Sequence, residues 1–303
     1  MLNRRILRIK AFKAIYGYAE NPGMTMKDTE AFLEHSCEAV RDLYLFILSI
    51  TKALSAEALS RIEAAKNKFN PTEEEKRPNL KFVNNGISSA LAGDPDFSRI
   101  LSRKKLSWDQ YDVFLRHLYE SIREKEYFKR YLSSGECGIG EDARLWTSIF
   151  ENEFEDNAEL EPILEELSIY WNDDLPYALI CCCRTMTAMG RGEQWNFPEL
   201  FRAESGKNAE SDKAFVTRLV RAAYTGFGRY CEAISGSTPK WDRNRICSTD
   251  LALIICGLAE ADTFPSISTK ITINEYVEIS KYYSTPESSG FVNGLLDKLI
   301  NKH

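Results

Sequence analysis

Apolar residues recur every three to four positions along nearly the whole chain, whereas alternating runs rich in Val, Ile and Thr are almost absent. The pattern predicts an all-α protein. A first helix is expected over residues 3–20, closing at Asn21-Pro22-Gly23, and a long helical pattern follows over 28–69. Residues 70–78, NPTEEEKRP, read as a polar loop bounded by prolines, and a short helix over 82–91 is stopped by Gly93-Asp94-Pro95. Ser107 and Gln110 have capping-box spacing for a helix running to about residue 132, after which 133–140 form a glycine-containing loop. Asp173 is placed to cap a helix with Pro176 in its first turn and Gly190 just past its end. The polar residues 191–212 are a linker candidate, and helices are expected over 213–234 and 250–261. No internal repeat is visible.

The stretch ITINEYVEISKYYSTPESSGFVNGLLDKL, 271–299, predicts a helical pair. Ile273, Val277, Ile279 and Tyr283 fall on or beside one helical face, and Thr272 stands where a cap would begin it. Ser284, Thr285 and Pro286 make a turn. A second helix starts at Ser288, with Phe291, Leu295 and Leu299 on one row and Val292, Leu296 and Ile300 on the next. Asn293, Gly294, Asp297 and Lys298 then form its outward edge.

Length and composition fit a soluble globular protein of one large or two smaller domains. No uninterrupted apolar run approaches the ~18 residues of a membrane helix, and no apolar leader follows the basic start, so a cytoplasmic protein without membrane association is expected. Eight cysteines lie mostly within apolar helical patterns and read as buried, reduced thiols. Consecutive Cys181, Cys182 and Cys183 point in different directions and cannot form one metal site. The formal net charge is −6, and Glu151, Glu153, Glu155, Asp156, Glu159, Glu161, Glu165 and Glu166 concentrate acid in one segment whose plainest reading is a solvated face.

Catalytic chemistry is poorly supplied. His35, His117 and His303 have no evident partner, no phosphate-cradling glycine pattern precedes a helix, and the Glu-x-x-His pairs of a di-metal bundle are missing. No enzyme activity, cofactor or metal is therefore expected. The first helix differs: Arg5, Arg8, Phe12 and Tyr16 make one stripe flanked by Arg4 and Lys13, opposite a core-facing stripe of Leu7, Ala11, Ala14 and Tyr18. Arginine forks suit phosphates and aromatic rings stack on unpaired bases, so this face could hold single-stranded RNA. A solvated basic face accounts for the same residues.

Over residues 3–18, and again from about 215 to 299, the chain resembles the NusB family of bacterial antitermination factors. The residues that carry the resemblance are Trp241, Arg245-Ile246, Asp250, Glu260, Pro265, Ile273-Asn274-Glu275, Lys281, Ser288 and Phe291-Val292-Asn293-Gly294-Leu295-Leu296-Asp297, in the family's order and with closely similar spacing. Arg4, Arg5, Arg8 and Ile15-Tyr16 fit its arginine-rich start and Leu-Tyr motif. Three departures stand out: Ile254-Ile255 replaces Leu-Arg, removing a cation; Ala259 replaces a tyrosine; and Tyr276 replaces an alanine.

The resemblance implies a NusB-like helical bundle of two small subdomains. Residues 1–65 and 213–303 would be its N- and C-terminal helices, and 66–212 a helical, partly acidic insertion without counterpart in short members. It implies a boxA-like single-stranded RNA partner, the ribosomal protein NusE, and participation in an antitermination complex with RNA polymerase on ribosomal RNA operons. Carried over residue by residue, the RNA contacts would be Arg4, Arg5, Arg8, Tyr16, Lys281, Glu287, Ser288 and Asn293. Several have plainer readings: Ser288 as a helix cap, Asn293 as a buried hydrogen-bonding group, Tyr16 as core. An alternative from another class is a helical protein-interaction scaffold with weak or lost RNA specificity, in which the acidic segment captures basic partners. NusB-like modules also occur fused to RNA cytosine methyltransferases, but no Rossmann-type cofactor segment is present here.

Overall fold

A computed structural model describes residues 1–202, 211–237 and 246–301. Trp241, Arg245, His303 and residues 203–210 of the linker candidate lie outside the described residues. Among those described, all regular secondary structure is helical. Fifteen helices run in the order α1 Arg4–Glu20, α2 Met26–Lys66, α3 Glu73–Lys76, α4 Gly86–Gly93, α5 Pro95–Lys104, α6 Asp112–Glu124, α7 Glu126–Ser133, α8 Ile139–Asn152, α9 Leu160–Leu167, α10 Leu175–Gly190, α11 Asp212–Thr225, α12 Phe227–Ser237, α13 Ser248–Thr263, α14 Thr269–Tyr283 and α15 Ser288–Ile300. They form two compact units, one of residues 1–38 with 199–303, the other of 39–198. The part of α2 from Ala39 onward clusters with the middle of the chain, and residues 199–202 and 211–212 cluster with the C-terminal helices.

In the first unit α13 is the central element. Every residue from Ala252 to Glu260 is buried, as expected of a helix surrounded by neighbours, and α1, α11, α12, α14 and α15 pack on it. Ile254 and Ile255, which stand where the resembled family has Leu-Arg, are both fully buried. Gly257 permits a close approach between helices: a Cβ there would stand 2.7 Å from Leu296 Cδ2 and 3.3 Å from Tyr276 Cδ2. Asn3 caps α1 by accepting from the Ile6 amide, and Tyr18 near its other end packs at a tilt on Tyr224, ring centroids 4.4 Å apart.

The helix expected over 213–234 is two, α11 and α12, interrupted at Gly226, where a Cβ would lie 2.6 Å from the Tyr230 ring. Helix α14 begins three residues before the expected cap. Thr272 lies inside it, fully buried, and its hydroxyl donates to Glu260 Oε1 at 2.8 Å instead of capping. The α1 stripe is narrower than the wheel implied, since Arg8 and Phe12 are buried with Leu7 and Ala11.

The second unit is built around α2. Residues Leu43 to Thr51 are buried on all sides, and Phe46 stacks on Trp108 at 4.0 Å and on Trp171 at 5.5 Å. Trp108 Nε1 donates to the Phe46 carbonyl and Trp195 Nε1 to the Tyr44 hydroxyl. By length and composition α2 could cross a membrane, yet 61% of its most apolar window is buried in protein, so core packing accounts for that apolarity.

A buried polar network ties α4, α7 and α8. Asn85 caps α4 and accepts from Trp146 Nε1, while Asp142 accepts from the Gly86 amide and from the Tyr131 hydroxyl at 2.6 Å. Burial and Asp142 together push the Tyr131 phenol well above its usual range, which keeps it a donor. The helix expected to follow Ser107 is α6 and α7, because Ser107 closes a local turn to Asp109 and Lys125 is extended. Helix α5 was not anticipated: Asp94 and Pro95 end α4 but also cap and start α5. All eight cysteines are free thiols, with Cys137 and Cys247 exposed rather than buried.

Candidate nucleic-acid interface

The arginines of α1 are positioned by carboxylates far away in sequence. Arg8 projects into the first unit, where its Nε and Nη2 each donate to Glu260 at 2.8 Å with 6% of the side chain exposed. Glu260 is fully buried and also accepts from Thr272 and, at 3.3 Å, from the Tyr276 hydroxyl, so its oxygens are saturated with donors. Burial alone would lower the Arg8 pKa, but the hydrogen bonds and charge of Glu260 outweigh it and leave it raised. Burial, with Glu260 adding to it, pushes the Tyr276 phenol well above its ordinary value, consistent with a neutral donor.

Arg5 lies nearer solvent. Its fork meets Glu275 through bonds of 2.9 and 2.8 Å, and Arg8 Nη1 approaches the same carboxylate at 3.6 Å. The Arg5 hydrogen bonds hold Glu275 below its ordinary value despite partial burial. Arg4 pairs with Asp212 at 2.8 Å and covers the Phe215 ring at 4.0 Å. The three arginines thus fasten α1 to α11, α13 and α14.

From Arg5–Glu275 to Phe12–Tyr283, whose rings are 5.4 Å apart, the pairings advance in the same direction on both helices. Helices α1 and α14 therefore run in the same direction, both packed on α13 and joined to each other by these side chains. Arg5 and Tyr16 on α1 and Lys281 and Tyr282 on α14 are exposed, with Lys13 placed 5.4 Å over the Tyr283 ring. Tyr282 is 83% exposed, the most open aromatic residue among those described in this unit. Lys281 is paired with Glu278, three residues earlier. Sequence reading missed Tyr282 and the role of Lys13, although a Tyr-Tyr pair ending a helix beside a lysine was visible as a signal.

The remaining expected contacts separate. Ser288 is buried: its hydroxyl donates to Asp250 Oδ2 at 2.8 Å beside Ser284, which donates to Oδ1 at 2.7 Å, so it splints the α14–α15 turn to α13. Glu287 is exposed at the start of α15. Asn293 is exposed, not buried, and lines a shallow recess of about 390 Å³ with Lys270, Asn274 and Asp297. His117 pairs with Glu159 at 2.9 Å and His35 Nδ1 contacts the Ala31 carbonyl.

A family model described as the NusB family matches residues 186–301. The transcription antitermination protein NusB of Geobacter sulfurreducens is 31% identical over 110 residues, which cover 36% of this chain and 80% of that protein. The chain belongs to the NusB family. The NusB of Natranaerobius thermophilus is 30% identical over 88 residues, 29% of this chain and 63% of its own length, and that of Alkaliphilus oremlandii 28% over 97 residues, 32% and 70%. No solved structure matches. The NusB family is non-enzymatic, and its helical character agrees with the all-α fold. The NusB match leaves residues 39–185 of the second unit uncovered. Within the matched part, Glu260, Glu275, Asp250 and Ser288 are the residues that bind α1, α13, α14 and α15 together.

Proposed function

We propose that this protein is a cytoplasmic RNA-binding transcription antitermination factor that engages a boxA-like single-stranded RNA together with NusE and promotes read-through in ribosomal RNA operons. The observation that carries this reading is the NusB match over 186–301, and the exposed Arg5 and Tyr16 of α1 with Lys281 and Tyr282 of α14 are the residues we take to form its RNA-binding edge. Arginine and lysine at such an edge suit phosphates and open tyrosines suit unstacked bases. Arg5, Tyr16, Lys281, Glu287 and Asn293 are the proposed contacts, with Arg4 at the border. Arg8 and Ser288 support this surface from beneath.

Each of these arginines already holds a carboxylate, so RNA must share or displace Glu275. This favours a second reading, a scaffold whose α1 arginines are structural and whose RNA affinity has faded. Fluorescence anisotropy with a boxA-like RNA and a scrambled control, with and without NusE and across a salt series, separates the two. Preferential boxA binding that tightens with NusE, and a salt slope that Arg5→Ala lowers by ~0.7 for one phosphate no longer neutralised, supports antitermination. Equal weak binding to both RNAs and an unchanged slope in Arg5→Ala would sink it.

A further inference from the structure

The second unit carries a groove of about 850 Å³ formed by the end of α2, the α3 segment, α6 and α7. Arg61, Lys68, Arg77 and Arg123 line it against Glu74 and Glu75, an excess of cations in an acidic chain. Arg61 is held by Glu57 and Glu120 and Lys68 by Glu75, whereas Arg77 and Arg123 are exposed and form no ion pair among the described residues. Tyr119 and Phe128 supply apolar wall. Phe69, next in sequence to Lys68, is 98% exposed, and Leu80 beside Asn79 is also open. A basic rim, apolar wall and open aromatic residue together fit an acidic segment that brings apolar side chains.

The same unit presents such a segment. Helix α9 buries Leu160, Ile163 and Leu164 and turns Glu161, Glu165 and Glu166 outward, with no ion pair to any of the three among the described residues. Leu167 and, at 76%, Ile169 follow them into solvent. Groove and acidic segment flank α6: His117 reaches Glu159 on one side, while Tyr119 and Arg123 line the groove on the other. Two complementary patches side by side can be exchanged across a two-fold axis, each groove taking the partner's segment, which closes the assembly at two copies.

We propose that the second unit is a self-association module, in which the α9 segment of a second copy, Glu161 to Ile169, docks in the groove bordered by Arg77 and Arg123. The occupant is acidic and apolar, so the contact weakens with salt and tolerates paired charge reversal.

The test is sedimentation velocity of the full chain from roughly 1 to 100 µM, at about 50 and 500 mM salt. A monomer–dimer equilibrium weakened by salt is expected, and both the groove variant R77E/R123E and the segment variant E161K/E165K should weaken it at least about tenfold. Neither touches a buried residue, and unchanged circular dichroism melts confirm folding. Mixing the two variants should restore dimers, because each reversed groove meets a reversed segment and each native groove a native one. A monomer throughout, or dimers that the variants leave intact, overturns the proposal. Failure of the mixture to recover, with both variants folded, overturns it as well. Capture of an acidic peptide or RNA by a monomeric chain would assign the groove to another occupant.

Discussion

Arg8 and Glu260, 252 residues apart in sequence, meet in a buried fork of two 2.8 Å hydrogen bonds that joins α1 to α13, the central helix of the first unit. Such a pair has a weak net effect relative to an apolar substitute of equal volume, but breaking it from one side leaves a charge stranded away from water. Arg8→Ala should therefore destabilise the first unit by about 3–5 kcal/mol. Replacing both partners by apolar residues should cost less, although Thr272 and Tyr276 would lose their shared acceptor. Urea unfolding of both single variants and the double variant measures the coupling, and additive losses would argue against the pair.

Glu275 stands where a phosphate would compete for Arg5. In the proposed RNA complex Glu275→Gln should tighten binding and steepen the salt slope by up to ~0.7, the change expected when one more phosphate is neutralised. Anisotropy titrations at several salt concentrations read both effects; unchanged affinity and slope would mean that RNA does not approach this arginine.

The same carboxylate sets a pH signature. Arg5 holds Glu275 below its ordinary value of 4.5, so the folded state keeps it ionised where the unfolded chain begins to protonate. Its stabilising contribution is fully present above 4.5 and is lost as pH falls through the depressed folded value. Urea midpoints of wild type and Glu275→Gln should differ most near neutrality and converge below that range. A gap that widens on acidification would reverse the sign of the argument.

At Gly257 the expected effect is steric. A methyl group would press on Leu296, which is fully buried and cannot swing into solvent. Gly257→Ala should cost about 1–3 kcal/mol by overpacking, read as a lowered thermal midpoint, and Leu296→Val in the same chain should recover part of it.

The helical class, the ends of α1 and the α14–α15 pair were legible because they rest on local signals: Asn3 at a cap, a 3.6-residue apolar repeat, a Ser-Thr-Pro turn. Breaks were legible only where the sequence announces them. At Gly226, between α11 and α12, the Tyr230 ring takes the space a side chain would need, and that ring is held by a hydrogen bond to Asp262 of α13, a tertiary contact that no local pattern shows. The candidate site was half visible for the same reason. Arg4, Arg5 and Arg8 look alike on a wheel, and only the placement of Asp212, Glu275 and Glu260 turns one inward and leaves another at the edge. Ser288 carries the sequence signal of a cap, yet Asp250, thirty-eight residues earlier, claims its hydroxyl.

Because residues 39–198 lie between the two parts of the first unit, that unit has an order of birth. At roughly 5–20 residues per second of synthesis, α1 leaves the ribosome roughly 10–50 s before Glu260 exists to receive Arg8. During that interval the middle unit can complete itself, while the basic helix has neither of its glutamate partners. Nascent chains stalled before residue 260 should therefore leave α1 open to protease, and chains stalled well beyond α15 should protect it.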